Sequence, residues 1–150
     1  MARALITGIG GQDGSYLAEL LVGKGYEVVG LVRRDPDEVL PGLEAVADRI
    51  ELVRGDLFDL ASLRRAVAEV RPDELYHLAA PTFVPASWED PTSTMAAIAG
   101  ATSTLLASVL EVDPSTRVHV ATSSEIFGDA GESPQNELSP CRPRATYGVA

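Results

Sequence analysis

The chain has 150 residues, enough for one domain with a core of its own, and 45% of them are hydrophobic. Its formal net charge of −10 argues against nucleic acid as a partner, because a phosphate backbone requires a basic surface. The single cysteine, Cys141, cannot form an internal disulfide, which favours a reducing compartment.

The hydrophobic pattern predicts short strands that alternate with helices. Short apolar runs without alternation are typical of strands buried on both faces of a sheet. Helices are expected after the N-terminal glycines, after a cap at Asp59 or Ser62, and from Pro91 or Ser93 to Val112. The predicted strands are residues 4–7, 26–32, 50–53, 73–78 and 117–122. This order predicts an α/β fold with a doubly wound parallel sheet, the Rossmann fold, whose strands all end at one edge.

The turn between the first strand and the first helix is rich in glycine. Gly8, Gly11 and Gly14 follow the spacing Gly-x-x-Gly-x-x-Gly, and Gly10 adds a fourth. Glycines permit a tight turn and a close approach of the backbone to a pyrophosphate at the helix N-terminus. We therefore predict a nicotinamide dinucleotide site. The residues assigned to it here are Thr7, Gly8, Gly10, Gly11, Gln12, Asp13 and Gly14.

The end of the second strand bears on the choice of dinucleotide. NAD sites usually place an acidic residue there to hold the ribose 2′-hydroxyl. This chain has Arg33 and Arg34 instead, and two guanidinium groups suit the 2′-phosphate of NADP. Asp35 follows directly, so NADP is favoured while NAD stays open.

Two further strand ends are expected to face the cofactor. Asp56 follows the third strand and is predicted to accept a hydrogen bond from the adenine amino group, with Leu57 packed on the ring. The small residues of Leu78-Ala79-Ala80 let the backbone approach the cofactor after the fourth strand. His77 and His119 fall within predicted strands, and we assign neither of them a metal role.

These motifs together resemble the extended short-chain dehydrogenase/reductase family, also called the NAD-dependent epimerase/dehydratase family. The resemblance spans the chain and includes Gln12-Asp13-Gly14 and the stretch from Thr122 to Gly128. It implies that Ser123, Glu125 and Tyr147 are catalytic. It also implies that Thr82 and Tyr147 contact the cofactor.

The resemblance implies a nucleotide-sugar 4,6-dehydratase, with GDP-mannose as substrate, GDP-4-keto-6-deoxymannose as product and an internally recycled NADP. Tyr147 would act as the base at the sugar hydroxyl, and Ser123 would hold that hydroxyl. Glu125 would remove the proton at C5. Two alternatives stay open: a GDP-4-keto-6-deoxymannose reductase or sugar epimerase on the same scaffold, and a non-catalytic NADP-binding module.

The family motif Tyr-x-x-x-Lys begins at Tyr147, and the sequence ends at Ala150, one position before the Lys. We therefore expect residues 1–150 to be an incomplete dinucleotide-binding domain, inactive alone, that lacks a substrate-binding C-terminal part. The resemblance also implies a dimer or tetramer of the full-length protein. The sequence shows no signal peptide and no apolar run of roughly 18 residues, so we expect a cytoplasmic protein with no membrane partner.

Overall fold

The computed structural model describes residues 1–36 and 40–150. It contains one parallel sheet of five strands in the order β3-β2-β1-β4-β5. Each predicted strand is present, with bounds shifted by at most two residues at either end. The strands are β1 Arg3–Thr7, β2 Glu27–Val32, β3 Ile50–Arg54, β4 Glu74–His77 and β5 Arg117–Val120.

The helices occupy the connections between these strands. Their bounds are α1 Gln12–Gly23, α2 Leu60–Val70, α3 Ala86–Glu89, α4 Pro91–Val112 and α5 Thr146–Val149. Short 3-10 turns lie at Ala47–Arg49 and Ser124–Ile126. Within α4, the stretch Ala96–Gly100 has the wider π-helical pattern. The sequence pattern did not predict α3 or α5, each of which is a single helical turn.

Both long helices after β3 begin at an aspartate cap. The Asp59 side chain accepts a hydrogen bond from the Ser62 N–H, at 3.2 Å, and starts α2. Asp90 accepts from the Ser93 N–H, at 3.0 Å, and starts α4 at Pro91. These contacts decide between the alternative starts that the sequence left open. The polar connection expected over 33–48 includes residues 37–39, which lie outside the described residues.

Two hydrophobic layers enclose the sheet. Ile6, Val28 and Leu21 belong to the layer on the α1 face, and Leu43 and Val46 join it although they come from the connection expected to be polar. The second layer, between the sheet and helices α2 and α4, contains Leu5, Val29, Leu63, Leu75 and Leu105. The chain thus forms three layers, and the sheet reverses its strand order between β1 and β4.

Helix α4 corrects the expectation that the chain has no apolar stretch long enough to span a membrane. Among the described residues it is the one helix long and apolar enough to cross a membrane, with 22 residues and a mean hydropathy of 1.6. Its Ala101, Leu105 and Val109 pack into the layer that α2 shares with the sheet. A helix that covers a parallel sheet needs an apolar face, which accounts for the 33% of this apolar stretch that is buried.

Candidate functional site

A cleft of about 770 Å³ lies along the carboxyl ends of the strands, where the strand order reverses. Open α/β sheets bind ligands at this position. Thirteen of the residues assigned to the cofactor or to catalysis line its wall. They are Gly8, Gly11, Gln12, Asp13, Gly14, Arg33, Asp56, Leu57, Leu78, Ala79, Ala80, Thr82 and Tyr147.

The glycine turn forms the middle of the cleft. Gly8 has a φ of +76°, a conformation that L side chains rarely adopt, and a Cβ built there would lie 2.9 Å from the Ala79 nitrogen. A Cβ at Gly14 would collide with the Gly8 carbonyl oxygen. The Gly11 N–H donates to that same carbonyl at 2.9 Å and closes the turn. Helix α1 begins at Gln12 without a side-chain cap, so its N–H groups are available to an anion.

The ends of β2 and β3 form one end of the cleft. Arg33 and Arg34 are both exposed, but only Arg33 lies in the wall. Asp56 and Leu57 line the wall as predicted, together with Phe58. The Asp56 Oδ1 accepts a hydrogen bond from the Phe58 N–H at 2.9 Å, which holds the carboxylate in place at the cleft.

Thr7 lies beneath the cleft rather than in its wall. It is fully buried, and its Oγ1 lies 2.7 Å from the His77 Nδ1. The same Oγ1 accepts a hydrogen bond from the Ala79 N–H at 3.2 Å. Thr7 thus joins the ends of β1 and β4 at the point where Gly8 meets Ala79. Burial lowers the pKa of His77, so the ring is held neutral.

The far end of the cleft is formed after β4 and β5, by Ala97, Ala121, Thr122 and Tyr147. Ser123 and Glu125 follow Thr122 but do not line the wall. The Ser123 Oγ accepts a hydrogen bond from the Glu125 N–H at 3.2 Å and begins the 3-10 turn.

That 3-10 turn packs against α5, the helix that carries Tyr147. The Arg142 N–H donates to the Ile126 carbonyl at 2.9 Å and ties the intervening loop to the turn. The fold therefore gathers the three residues predicted to be catalytic at one end of the cleft, Tyr147 in the wall and the other two beside it.

Gly10 lies on the outer side of the glycine turn. It lines a second, shallower groove with Tyr16 and Glu19. Together with Thr7 and Arg34, it is a predicted cofactor residue that the structure leaves out of the main cleft wall. Its nearest neighbour across space is the Leu40 side chain, 3.4 Å from a Cβ built at this position.

Seven cleft residues were not predicted from the sequence. Most come directly before or after a predicted one, so the position at a strand end was an available signal. Ala97 had no such signal, because it lies within α4, in the π-helical stretch, and not at a strand end. The seven are Leu31, Gly55, Phe58, Pro81, Ala97, Ala121 and Thr122.

Other ionisable groups lie away from the cleft. Glu74, at the start of β4, accepts from the Tyr26 and Tyr76 hydroxyl groups and pairs with Arg117. Burial and the hydrogen bond to Glu74 raise the pKa of Tyr76 to about 12. His119 is exposed on β5. Within residues 1–36 and 40–150, His, Cys, Asp and Glu side chains form no group of three or more suited to a metal.

A sequence-family model described as GDP-mannose 4,6 dehydratase matches residues 5–150. A GDP-mannose 4,6-dehydratase of Yersinia enterocolitica is 42% identical over 100% of this chain and 43% of its own length. Another, of Vibrio cholerae, is 41% identical over 99% of this chain and 42% of its own. The chain therefore spans less than half the length of these relatives.

Solved structures of similar fold include sugar-nucleotide enzymes. A UDP-glucose 4-epimerase from Brucella ovis in complex with NAD superposes with a TM-score of 0.83, at 26% identity, over 99% of this chain and 44% of that one. A putative epimerase from Burkholderia cenocepacia gives a TM-score of 0.81 at 34% identity, over 99% of this chain and 46% of that one. The similarity in fold extends across the whole cleft.

Proposed function

The chain belongs to the GDP-mannose 4,6-dehydratase family, and on that premise we propose that the protein is a nucleotide-sugar 4,6-dehydratase acting on GDP-mannose. The observation that carries the proposal is the continuous cleft. It joins a dinucleotide-type glycine turn to the end where Tyr147, Ser123 and Glu125 gather. The product would be GDP-4-keto-6-deoxymannose.

The cleft fits a nicotinamide dinucleotide. Gly8 and Gly14 permit the tight turn at the cleft, because a Cβ at either position would collide with neighbouring backbone, and the uncapped N-terminus of α1 lines the same cleft. When bound, the nicotinamide would accept a hydride from C4 of the sugar and return it at C6. We propose NADP rather than NAD, supported by Arg33 in the wall beside Asp56.

Each of the three residues at the far end of the cleft has its own role in the proposed reaction. Tyr147 takes the proton of the C4 hydroxyl as that carbon is oxidised, and the Ser123 hydroxyl orients the same oxygen. The C5 proton becomes acidic beside the new ketone, and the Glu125 carboxylate removes it. The protonated Glu125 gives that proton to the hydroxyl at C6, which leaves as water. Because the hydride taken from C4 would return at C6, with a proton added at C5, the net reaction consumes no oxidant or reductant.

The experiment that tests this function supplies GDP-mannose and a catalytic amount of NADP⁺ to the purified full-length protein, with no added reductant. We expect accumulation of the 4-keto-6-deoxy sugar nucleotide, detected by mass and by its keto group. Glu125→Gln should lower turnover by about 10²- to 10⁴-fold, because it removes the base for C5. Binding of NADP⁺ to that variant should not change.

Glu137→Gln is the matched control, because Glu137 is an exposed carboxylate of the loop between Ile126 and Arg142. It should leave turnover unchanged. Recovery of GDP-mannose, or of a sugar epimer with no loss of water, would reject the dehydratase and favour an epimerase. Binding of NADP⁺ without any conversion would favour a non-catalytic binding module.

A cytoplasmic location is part of the same proposal. Cys141, the only cysteine in the sequence, is free and exposed, which suits a reducing compartment. Fractionation of the producing cell, followed by detection of the protein, tests this location.

A further inference from the structure

Phe58 is a large apolar side chain that lies open to solvent in the cleft wall. Its exposed fraction is 59%, and it lines the same end of the cleft as Arg33 and Asp56. Aromatic rings that are this exposed leave apolar surface in contact with water unless a ligand covers it. Phe58 therefore offers a flat, apolar face to a ligand bound in the cleft.

The turn that carries Phe58 is fixed by hydrogen bonds. The Phe58 N–H donates to the Asp56 Oδ1 at 2.9 Å, and the Asp59 N–H donates to the Asp56 carbonyl at 3.0 Å. The Ser62 hydroxyl lies against the same turn, donating to the Asp59 carbonyl at 2.6 Å and accepting from the Asp56 N–H at 3.0 Å. A ligand that binds here would meet a backbone that is already ordered, which reduces the entropy cost of binding.

Other apolar residues differ from Phe58 either in their exposure or in their position relative to the cleft. Leu57 is partly buried and packs against the core layer beneath α2 and α4, so part of its surface is already covered. Phe83 and Trp88 are also exposed, at 72% and 66%, but neither lines the cleft. Among the exposed phenylalanines, Phe58 is thus the one placed to contact a bound cofactor.

We propose that Phe58 stacks on the adenine base of the dinucleotide and makes binding depend on a purine at that end. Asp56 and Phe58 are held on one turn, so a base that donates its amino group to the carboxylate would lie beside the ring. Stacking of one base on an aromatic ring changes affinity by roughly 5- to 100-fold. This inference rests on the proposed function, in that it requires a dinucleotide in the cleft.

The test measures dissociation constants by calorimetry for NADPH and for adenosine 2′,5′-bisphosphate, which retains only the adenosine end. Phe58→Ala should weaken the binding of both ligands by about 5- to 100-fold, and by the same factor for each. Phe58→Tyr, which keeps the ring, should bind within about threefold of the wild type. Phe58→Leu, which keeps apolar bulk without the ring, should fall between them and covers the case in which the alanine variant unfolds.

Phe83→Ala is the matched control, an exposed phenylalanine outside the cleft wall, and should change neither constant. Equal binding by the wild type and both the Ala and Leu variants would overturn the stacking role alone. A loss of affinity for NADPH without a loss of affinity for adenosine 2′,5′-bisphosphate would also overturn the stacking role. Failure of the wild-type protein to bind either NADPH or NADH would overturn the proposed function together with this inference.

Discussion

Arg33 and Arg34 are adjacent in the chain but differ in what they can reach. The strand ends at Val32, and only Arg33 lies in the wall of the cleft beside Asp56. Arg34 is exposed and outside that wall. The sequence pointed to the pair, whereas in the structure only the first of the two lines the cleft.

Arg33→Ala should therefore weaken the binding of NADP by about 10- to 100-fold, because a hydrogen bond between charged groups contributes that much to affinity. The same change should weaken the binding of NAD by less than about threefold. Arg34→Ala is the matched control and should change the ratio of the two dissociation constants by less than about threefold. Calorimetric titration of each variant with both dinucleotides measures the ratio. Equal weakening of NADP and NAD by Arg33→Ala would remove the 2′-phosphate role.

His77 contributes to stability in a pH-dependent way. Burial lowers its pKa in the folded protein, while the unfolded chain exposes it with an ordinary value of about 6.5. Protonation then favours the unfolded chain. The contribution of His77 is complete above about pH 6.5 and is lost as the pH falls below that value.

His77→Asn should flatten this dependence, because asparagine does not titrate. Between pH 7 and 5 the wild type should lose stability with a slope of at most about 1.4 kcal/mol per pH unit from this residue. Urea unfolding at a series of pH values measures the slope. Identical slopes for the wild type and His77→Asn would refute the assignment.

At the scale of the element, the exposure of the residues in α4 shows how its apolar composition is distributed around the helix. Its residues are apolar enough for a membrane segment, yet Leu105 is buried at 1% exposure while Leu110 is 67% exposed. One side of the helix therefore packs on the sheet and α2, and the other faces away. Ala97, in the π-helical stretch of α4, lines the cleft.

Leu105→Ala should destabilise the fold by about 2–5 kcal/mol, since it opens a cavity in the layer shared with α2. Leu110→Ala on the same helix should change stability by no more than about 0.5 kcal/mol. Chemical unfolding of both variants in aqueous buffer measures the difference. Similar values for the two would contradict the assignment of α4 as a core helix.

On the scale of the whole molecule, the cleft draws residues from strand ends on both sides of the reversal in strand order. The glycine turn after β1 lies between the Arg33 side and the Tyr147 side. A ligand that spans the cleft contacts both halves of the sheet at once. Its binding energy is then added to the stability of the entire fold rather than to one loop.

NADP should consequently raise the unfolding temperature of the protein, and at 100 times its dissociation constant the stabilisation should be about 2.7 kcal/mol. At the same concentration NAD should produce a smaller rise, because it lacks the 2′-phosphate that Arg33 is proposed to hold. A thermal unfolding series with each dinucleotide checks this. A rise with NAD equal to or greater than that with NADP would contradict the proposed preference.

The sequence by itself determined the fold class, the order of the strands and helices, and the glycine turn. These are local properties: Gly8 and Gly14 are required by the turn and the helix that contain them, and short apolar runs identify parallel strands. The expected burial is confirmed for β1, β2 and β4 but is wrong for β3 and β5, which lie at the edges of the sheet and are only partly covered. The sequence also indicated most of the cleft wall, because the carboxyl ends of parallel strands meet at one edge.

Only the tertiary structure decided which of these residues meet. It placed Thr7 under the cleft against His77, Arg34 outside it, and Phe58 and Ala97 within its wall. It showed that Asp59, rather than Ser62, caps α2, and that α4 is a helix packed in the core. The physical reason is that burial and contact depend on packing between elements distant in the chain, whereas a sequence pattern records only the spacing within each element.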